Sequence, residues 1–148
     1  MKTNFSKNEI PEISKKILDK VLKIKNKKAK VLAFSGDLGS GKTTITQELA
    51  KQLDIKENII SPTFVIMKIY NINPNSKYYF NFKKLIHIDA YRLESSSELL
   101  KIGWQKITED KDNIIIVEWP EKVEDCLDED ACWVKLGHID EETRVFEF

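Results

Sequence analysis

One short segment constrains this 148-residue chain more than any other feature: GDLGSGKT, residues 36–43. It fits the pattern G-x-x-x-x-G-K-[S/T], whose glycines let backbone N–H groups converge on phosphate oxygens. With only five glycines in the chain, about 0.003 accidental matches are expected. An apolar run at residues 30–35 precedes the segment, and a helical apolar stripe over residues 45–53 follows it. The predicted order of strand, loop and helix is the one that a phosphate-binding loop requires.

The loop is expected to hold the phosphates of a nucleotide through its backbone and two side chains. Lys42 is expected to bridge the β- and γ-phosphates, and Thr43 to offer its hydroxyl to Mg²⁺. The helix that follows contributes the positive end of its dipole. The predicted nucleotide-binding residues are Gly36, Asp37, Leu38, Gly39, Ser40, Gly41, Lys42, Thr43 and Thr44.

Two acidic residues at predicted strand ends are the candidates to complete the site. Asp89 ends the run LIHI, and Glu118 ends the run IIIV. Because ligands bind at the carboxyl ends of strands in open α/β sheets, both carboxylates are expected near the phosphates. The predicted catalytic residues are Glu118, Asp89 and Lys42, and the predicted metal-binding residues are Thr43, Asp89, Glu118 and Thr63. The residues alone also allow simpler roles, since either acid could cap a turn or helix and Thr63 could merely begin a strand.

Hydrophobic periodicity predicts helices that alternate with strands. A helical stripe with a Ser6–Glu9 capping box and Pro11 in its first turn spans residues 8–27. The other predicted elements are strands at 30–35, 63–70, 84–89 and 113–117, helices after the loop and at 95–102 and 121–127, and a C-terminal hairpin of residues 133–139 and 143–148. This alternation indicates an α/β fold in which residues 1–148 form a single domain, a central sheet flanked by helices.

Composition excludes several classes of protein. Hydrophobic residues make up 41% of the chain, enough for a globular core, and no apolar run approaches the ~20 residues of a membrane span. The first residues lack the apolar core of a signal peptide, so we expect a cytoplasmic location and no membrane contact. Cys126 and Cys132 lack the spacing of a zinc site and are predicted to be buried free thiols.

Charge is balanced overall but unevenly distributed along the chain. Residues 1–30 carry ten lysines against three acids, whereas residues 94–148 carry six basic against sixteen acidic residues. Two oppositely charged solvated faces would explain this distribution, and so would a basic surface that contacts RNA or another acidic partner.

Two common classes of phosphate-loop protein fit this sequence poorly. The N/T-K-x-D motif that reads guanine is absent, so GTP is disfavoured. Small kinases hold the transferring phosphoryl group with several arginines, whereas this chain has only Arg92 and Arg144. A small-molecule P-loop kinase stays an alternative, as does a nucleotide-gated binding module without meaningful turnover.

Four motifs, taken together and in order, resemble one known family. They are GDLGSGKTT (36–44), SPTF (61–64), HIDAYRL (87–93) and VEWPE (117–121), which are similar to motifs of the TsaE (YjeE) family. Its members are bacterial P-loop ATPases required to make N6-threonylcarbamoyladenosine (t6A) in tRNA. The resemblance implies a P-loop NTPase fold with a mixed central sheet. It also implies ATP hydrolysis, slow without partners, as an accessory activity on a TsaB–TsaD-type complex.

The resemblance also carries expectations about single residues and partners. Lys42 and Thr43 match the family's positions for phosphate and Mg²⁺, and Asp89 and Glu118 match its acidic positions. The implied ligands are ATP and Mg²⁺; the chain by itself is expected to be a monomer and to meet tRNA only indirectly. The segment 71–84 is longer than the family usually has. Its lysines and aromatic residues would suit RNA stacking, or the segment is a longer hairpin arm.

Overall fold

The β-rich runs of the sequence form one mixed sheet in the computed structural model, which describes residues 2–148. The strands are β1 (Lys2–Ser6), β2 (Lys30–Ser35), β3 (Met67–Asn71), β4 (Lys84–Asp89), β5 (Asn113–Glu118), β6 (Cys132–His138) and β7 (Thr143–Glu147). Their spatial order is β1-β7-β6-β2-β5-β4-β3. The four central strands are parallel, whereas β3 at one edge and β7 and β1 at the other pair antiparallel. The predicted mixed α/β sheet and C-terminal hairpin are confirmed.

Helices cover both faces of this sheet. They are α1 (Ile10–Leu22), α2 (Lys42–Gln52), α3 (Ser96–Lys101) and α4 (Trp104–Glu109), with 3₁₀ segments at Lys7–Glu9 and Pro120–Cys126. α1 and α2 pack on one face, and α3, α4 and the second 3₁₀ segment pack on the other. Each face of the sheet has its own hydrophobic core, and strand alternation separates the two. Ile114 and Ile116 of β5 belong to the first core, on the face of α1 and α2, whereas Ile115 and Val117 belong to the second core, on the other face. Because β5 is buried on both faces, its apolar run is unbroken.

The strand predicted at residues 63–70 begins only at Met67. The chain turns first, because the N–H groups of Val65 and Ile66 donate to the Pro62 carbonyl oxygen. Ile66 has a φ of +67°, a left-handed conformation that a β-branched residue rarely adopts. The apolar run therefore bends before β3 starts, which no periodicity in the sequence reveals.

The sequence patterns also fail to predict two short elements and misplace the ends of two helices. β1 is a polar strand, KTNFS, in which only Phe5 is buried, and α4 has six residues, too few for a helical stripe. The helix predicted over 8–27 is confined to Ile10–Leu22, and the capping box opens the 3₁₀ turn ahead of it. The helix predicted at 121–127 is a 3₁₀ segment interrupted by the non-helical Val123.

The long segment between β3 and β4 is a hairpin connection that packs on the first core. β3 and β4 pair antiparallel, and the Ile72 N–H donates to the Lys83 carbonyl oxygen at 2.9 Å. Tyr78 and Phe82 are buried, while Phe80 is 96% exposed. The geometry matches the longer hairpin arm. A surface that stacks RNA bases would have to form without Tyr78 and Phe82, because both side chains are buried in the first core.

The two cysteines are free thiols in different surroundings. Cys132 is buried and Cys126 is half-buried, so the predicted burial is confirmed in full only for Cys132. Burial raises the pKa of the Cys132 thiol, which keeps it protonated and unreactive. Within residues 2–148, no helix is both long enough and apolar enough to cross a membrane.

Candidate functional site

The glycine-rich loop runs from the end of β2 to the start of α2. A Cβ added at Gly36 would lie 2.4 Å from the carbonyl oxygen of Leu136 on β6, so only glycine fits there. Gly41 is the N-cap of α2 and has a φ of +102°, which glycine adopts without strain. The loop can therefore lie tightly against β6 while α2 begins directly behind it.

Lys42 lies inside the loop rather than in solvent. Its ammonium donates hydrogen bonds to the carbonyl oxygens of Gly36 at 2.6 Å and Asp37 at 2.9 Å. Burial lowers the pKa of Lys42, and the negative charges of Glu118 and Asp89 oppose that shift. Within residues 2–148 no carboxylate forms an ion pair with this ammonium. An anionic ligand would therefore be its first direct counter-ion.

The two candidate acids lie side by side at the ends of neighbouring parallel strands. Asp89 ends β4, Glu118 ends β5, and the two residues are partners in the register. Both are buried, with 4% and 3% of their surfaces exposed. The Thr43 hydroxyl donates to the Glu118 carboxylate, with distances of 3.2 and 3.4 Å to its two oxygens. The start of α2 and both acids thus meet at the carboxyl edge of the parallel strands.

His87 is a site residue that the sequence reasoning misses. It is fully buried, and its Nε2 lies 2.8 Å from Oε1 of Glu118. Because an ionised carboxylate only accepts hydrogen bonds, the Nε2–H group is the donor in this hydrogen bond. Strand alternation is the signal that could find it: His87 and Asp89 are two residues apart on β4 and share one face of the sheet.

Asp89 also holds the loop that precedes β3. Its Oδ2 accepts hydrogen bonds from the hydroxyls of Ser61 at 3.2 Å and Thr63 at 3.0 Å. Its Oδ1 accepts one from the Tyr91 N–H at 2.9 Å. Thr63 therefore stands beside the acids, whereas the next residue, Phe64, is 84% exposed. The buried Asp89 carboxylate thus connects the end of β4 to the exposed loop that precedes β3.

A cavity of about 280 Å³ opens between the glycine-rich loop, the strand ends and the Ser61–Thr63 segment. The predicted site residues that line it are Leu38, Gly39, Gly41, Lys42, Thr43, Thr44, Thr63, Asp89 and Glu118. Gly36, Asp37 and Ser40 do not line it; the first two accept the ammonium hydrogen bonds, and Ser40 is buried in the loop. The structure therefore brings nine of the predicted site residues to one cavity, and the other three belong to the same glycine-rich loop without lining it.

Trp119 and Tyr91 form an aromatic wall of the same cavity. Their ring centres are 5.0 Å apart, and the Lys42 ammonium lies 4.4 Å from the Trp119 ring centre. Trp119 has a φ of +58° and a ψ of +50°, a conformation that costs about 1–3 kcal/mol in a bulky residue. It also packs on the second core. The strained turn after β5 therefore lets one ring serve both the core and the cavity.

The side chains around the cavity match the chemistry of a magnesium nucleotide. Lys42 and the N-terminus of α2 suit phosphate, and hydroxyls with carboxylates are the hard oxygen donors that Mg²⁺ prefers. Within residues 2–148, no group of three or more His, Cys, Asp or Glu side chains is arranged to hold a metal ion. Mg²⁺ typically binds through one or two carboxylates and the phosphates of its substrate, and this site offers that arrangement.

The chain is similar to known proteins that share one name. A family model described as threonylcarbamoyl adenosine biosynthesis protein TsaE matches residues 6–146. The chain is 31% identical to the tRNA threonylcarbamoyladenosine biosynthesis protein TsaE of Haemophilus influenzae, over 88% of this chain and 77% of that protein. It is 32% identical to the Bacillus subtilis protein of the same name, over 80% of this chain and 68% of that protein.

A solved structure shows the same fold. The crystal structure of Bacillus subtilis YdiB superposes with a TM-score of 0.68 and a sequence identity of 25%. The match covers 99% of this chain and 82% of that one.

Proposed function

The chain belongs to the TsaE family of threonylcarbamoyladenosine biosynthesis proteins, and from this premise we propose that it is a Mg-ATP-hydrolysing accessory protein of t6A modification in tRNA. The partner in this proposal is a TsaB–TsaD-type complex, through which the chain meets tRNA indirectly. The names of its relatives support the pathway, and the chemistry of the cavity supports the reaction.

The observation that carries the ATPase proposal is the meeting of four side chains at one cavity. Lys42 and Thr43 come from the loop and the first turn of α2, and Asp89 and Glu118 come from two adjacent strand ends. Phosphoryl transfer depends on positioning and charge stabilisation rather than on covalent chemistry by the protein. A cation, a hydroxyl and two carboxylates held by rigid elements provide both.

Each of these residues has a task in the proposed reaction. Lys42 exchanges its loop carbonyl partners for the β- and γ-phosphates. Thr43, Asp89, Glu118 and Thr63 are the residues that would hold Mg²⁺, which would neutralise phosphate charge. Glu118 accepts the proton of the water molecule that attacks the γ-phosphorus, whose bond to the bridging oxygen breaks to give ADP and phosphate.

Hydrolysis by the chain alone is expected to be slow, because neither arginine lines the cavity. The Arg92 guanidinium lies 4.4 Å above the Phe64 ring centre, and Nη1 of Arg144 donates to the Asp140 carbonyl oxygen at 2.7 Å. An arginine placed at the transferring phosphoryl group is worth about 10³–10⁵ in rate. A partner that supplies such a group, or that fixes the loop around Thr63, would therefore raise the rate.

The same placement of the arginines disfavours a small-molecule kinase, which needs a planar cation on the phosphoryl group it transfers. A nucleotide-gated binding module is favoured by one contact, since Asp89 ties the Ser61 and Thr63 hydroxyls to the site. In that alternative, ATP-dependent partner binding would occur without turnover in the wild-type chain.

The test is Mg-ATP hydrolysis by the purified chain, alone and with the TsaB–TsaD pair of the same organism. We expect the pair to stimulate hydrolysis and Lys42→Ala to abolish it. Lys51→Ala removes an exposed lysine from the same helix, outside the cavity, and is expected to behave like the wild type. Absence of both stimulation and a detectable complex would overturn the t6A role, and phosphate transfer to an acceptor other than water would favour the kinase.

A further inference from the structure

A cleft of about 250 Å³ lies at the opposite edge of the sheet from the phosphate cavity. It is lined by Lys30, the first residue of β2, and by Asp112, which directly precedes β5. Each of these parallel strands is six residues long, so roughly 15–20 Å of strand separates the cleft from the carboxyl edge that carries Asp89 and Glu118. This amino-edge cleft is therefore separate from the proposed nucleotide site.

An exposed aromatic ring stands at the amino-edge cleft. Phe80 lines the cleft and is 96% exposed, although Tyr78 and Phe82, two residues away on either side, are buried in the first core. The N–H groups of Asn81 and Phe82 both donate to the Tyr78 carbonyl oxygen at 2.9 Å, which closes a turn around Phe80. The turn and its two buried anchors therefore present the Phe80 ring to solvent from a fixed backbone.

Lysines predominate in the segments that carry this cleft. Residues 20–30 contain six lysines and residues 71–84 contain three, and neither segment contains an acidic residue. The Lys30 ammonium donates to the Asn26 carbonyl oxygen at 3.2 Å, and Lys111 is exposed at the lining. Within residues 2–148 neither Lys30 nor Lys111 forms an ion pair, so both can bind a phosphate group.

Acidic residues limit the positive charge that an anion would meet. Asp112 is the one carboxylate that lines the cleft in the described part of the chain. Lys28 also lines it, but its ammonium lies 3.0 Å from the Asp128 carboxylate in an ion pair. Phosphate contacts are therefore assigned to Lys30 and Lys111 and not to Lys28.

An exposed ring beside unpaired lysines suits single-stranded RNA better than an acidic protein segment. Unpaired bases stack on aromatic side chains while their phosphates lie against positive charge. Asn81 also lines the cleft, and its amide can both donate to and accept from the edge of a base. An acidic peptide would meet the lysines but leave the Phe80 ring without a partner.

We propose that the amino-edge cleft binds a single-stranded segment of RNA, with one base stacked on Phe80 and the adjoining phosphates held by Lys30 and Lys111. This direct contact goes beyond the proposed function, in which the chain meets tRNA through its partners, and it needs no ATP. Because the cleft and the nucleotide cavity lie at opposite edges of the sheet, the chain can hold RNA and Mg-ATP at the same time.

The test is the fluorescence anisotropy of a labelled oligoadenylate of about ten nucleotides, titrated with the purified chain at several salt concentrations. Phe80→Leu keeps an apolar side chain without an aromatic face and should weaken binding about ten-fold, whereas Phe80→Trp should retain it. Lys111→Ala removes one phosphate contact and should make the dependence of log K on log salt shallower by about 0.7. Thermal unfolding checks that each variant is folded.

Phe64→Leu and Lys51→Ala are the matched controls, because they change an exposed aromatic ring and an exposed lysine outside the cleft. Both should bind the oligoadenylate as the wild type does. Binding of Phe80→Leu at the wild-type affinity would overturn the proposal, as would a duplex RNA that binds as tightly as the single strand. Poly-glutamate that competes as well as RNA would assign the cleft to an acidic protein instead.

Two further measurements keep this proposal apart from the proposed ATPase. Lys42→Ala should bind the oligoadenylate like the wild type; a loss of binding there would show that the strand enters the nucleotide cavity and would overturn the cleft. Phe80→Leu should hydrolyse Mg-ATP with the TsaB–TsaD pair as the wild type does. Failure of the wild type to bind the oligoadenylate would therefore overturn the RNA contact and leave the ATPase proposal standing.

Discussion

Two neighbouring side chains orient the Glu118 carboxylate through hydrogen bonds. His87 donates from Nε2 at 2.8 Å, and the Thr43 hydroxyl approaches at 3.2 Å. Thr43 is also expected to turn toward Mg²⁺ when the nucleotide binds, which would leave His87 as the neighbour that stays with the carboxylate. Supporting hydrogen bonds of this kind typically change activity by about 10–100-fold. We therefore propose that His87 positions the base that accepts the water proton.

Replacing His87 tests this role with a pair of variants. His87→Leu removes the donor and should lower the kcat of partner-stimulated hydrolysis about 10–100-fold with little change in the KM for ATP. His87→Gln restores an N–H donor at a similar reach and should recover much of that loss. Steady-state kinetics gives the split between kcat and KM, and thermal unfolding checks the fold. Equal activity in the two variants would show that the hydrogen bond has no positioning role.

At the scale of elements, the join between β2 and the loop is fixed by backbone contact rather than by side chains. Gly36 faces the Leu136 carbonyl oxygen of β6, whereas a Cβ at Gly41 would meet no atom within 4 Å. Overpacking against backbone typically costs about 1–3 kcal/mol, and a left-handed residue with a side chain costs about 1–2 kcal/mol. The two glycines are therefore needed for different reasons.

Alanine at each glycine separates the two reasons. Gly36→Ala should lower the free energy of unfolding by about 2–3 kcal/mol or more, because β6 or the loop must move. Gly41→Ala should lower it by only about 1–2 kcal/mol, the cost of the left-handed conformation, because an added Cβ would meet no neighbouring atom. Urea unfolding with a common slope measures both values. A larger loss in Gly41→Ala than in Gly36→Ala would contradict the packing of the loop against β6.

The sequence was sufficient for elements whose signal is local. The run IIIV predicts β5 within a few residues, because a strand buried on both faces needs an unbroken apolar run. The segment GDLGSGKT predicts the loop in the same way, because its geometry requires glycines at fixed positions. β1 could not be predicted, since its polar sequence becomes a strand only by pairing with β7 at the other end of the chain. The bend at Ile66 and the cleft shared by Lys30 and Phe80 likewise depend on contacts between distant segments.

At the scale of the whole molecule, the proposed nucleotide site lies in the parallel part of the sheet. Its cavity lies at the ends of β4 and β5 and beside the loop after β2. A ligand in this cavity would hold together segments that are far apart in the chain. Ligand binding to the native state alone stabilises it by mass action, by about 2.7 kcal/mol at a hundred times the Kd.

Mg-ATP should therefore raise the melting temperature of the wild type by roughly 5–10 °C at a hundred times its Kd. Lys42→Ala should melt at the same temperature with and without Mg-ATP, because the variant lacks the ammonium group that is proposed to bind the phosphates. Differential scanning calorimetry with and without Mg-ATP measures the shift. An equal shift in Lys42→Ala and the wild type would show that ATP binds elsewhere on the molecule.

The most direct test of the account is phosphate release from Mg-ATP by Glu118→Gln in the presence of the TsaB–TsaD pair. Glutamine keeps the size of the side chain and can still accept the His87 hydrogen bond, but it cannot take a proton from water. The account predicts release slower than in the wild type by about 100-fold or more, with the thermal shift caused by Mg-ATP retained. Release at the wild-type rate would contradict it, because the cavity would then hydrolyse ATP without the base that the strand ends provide.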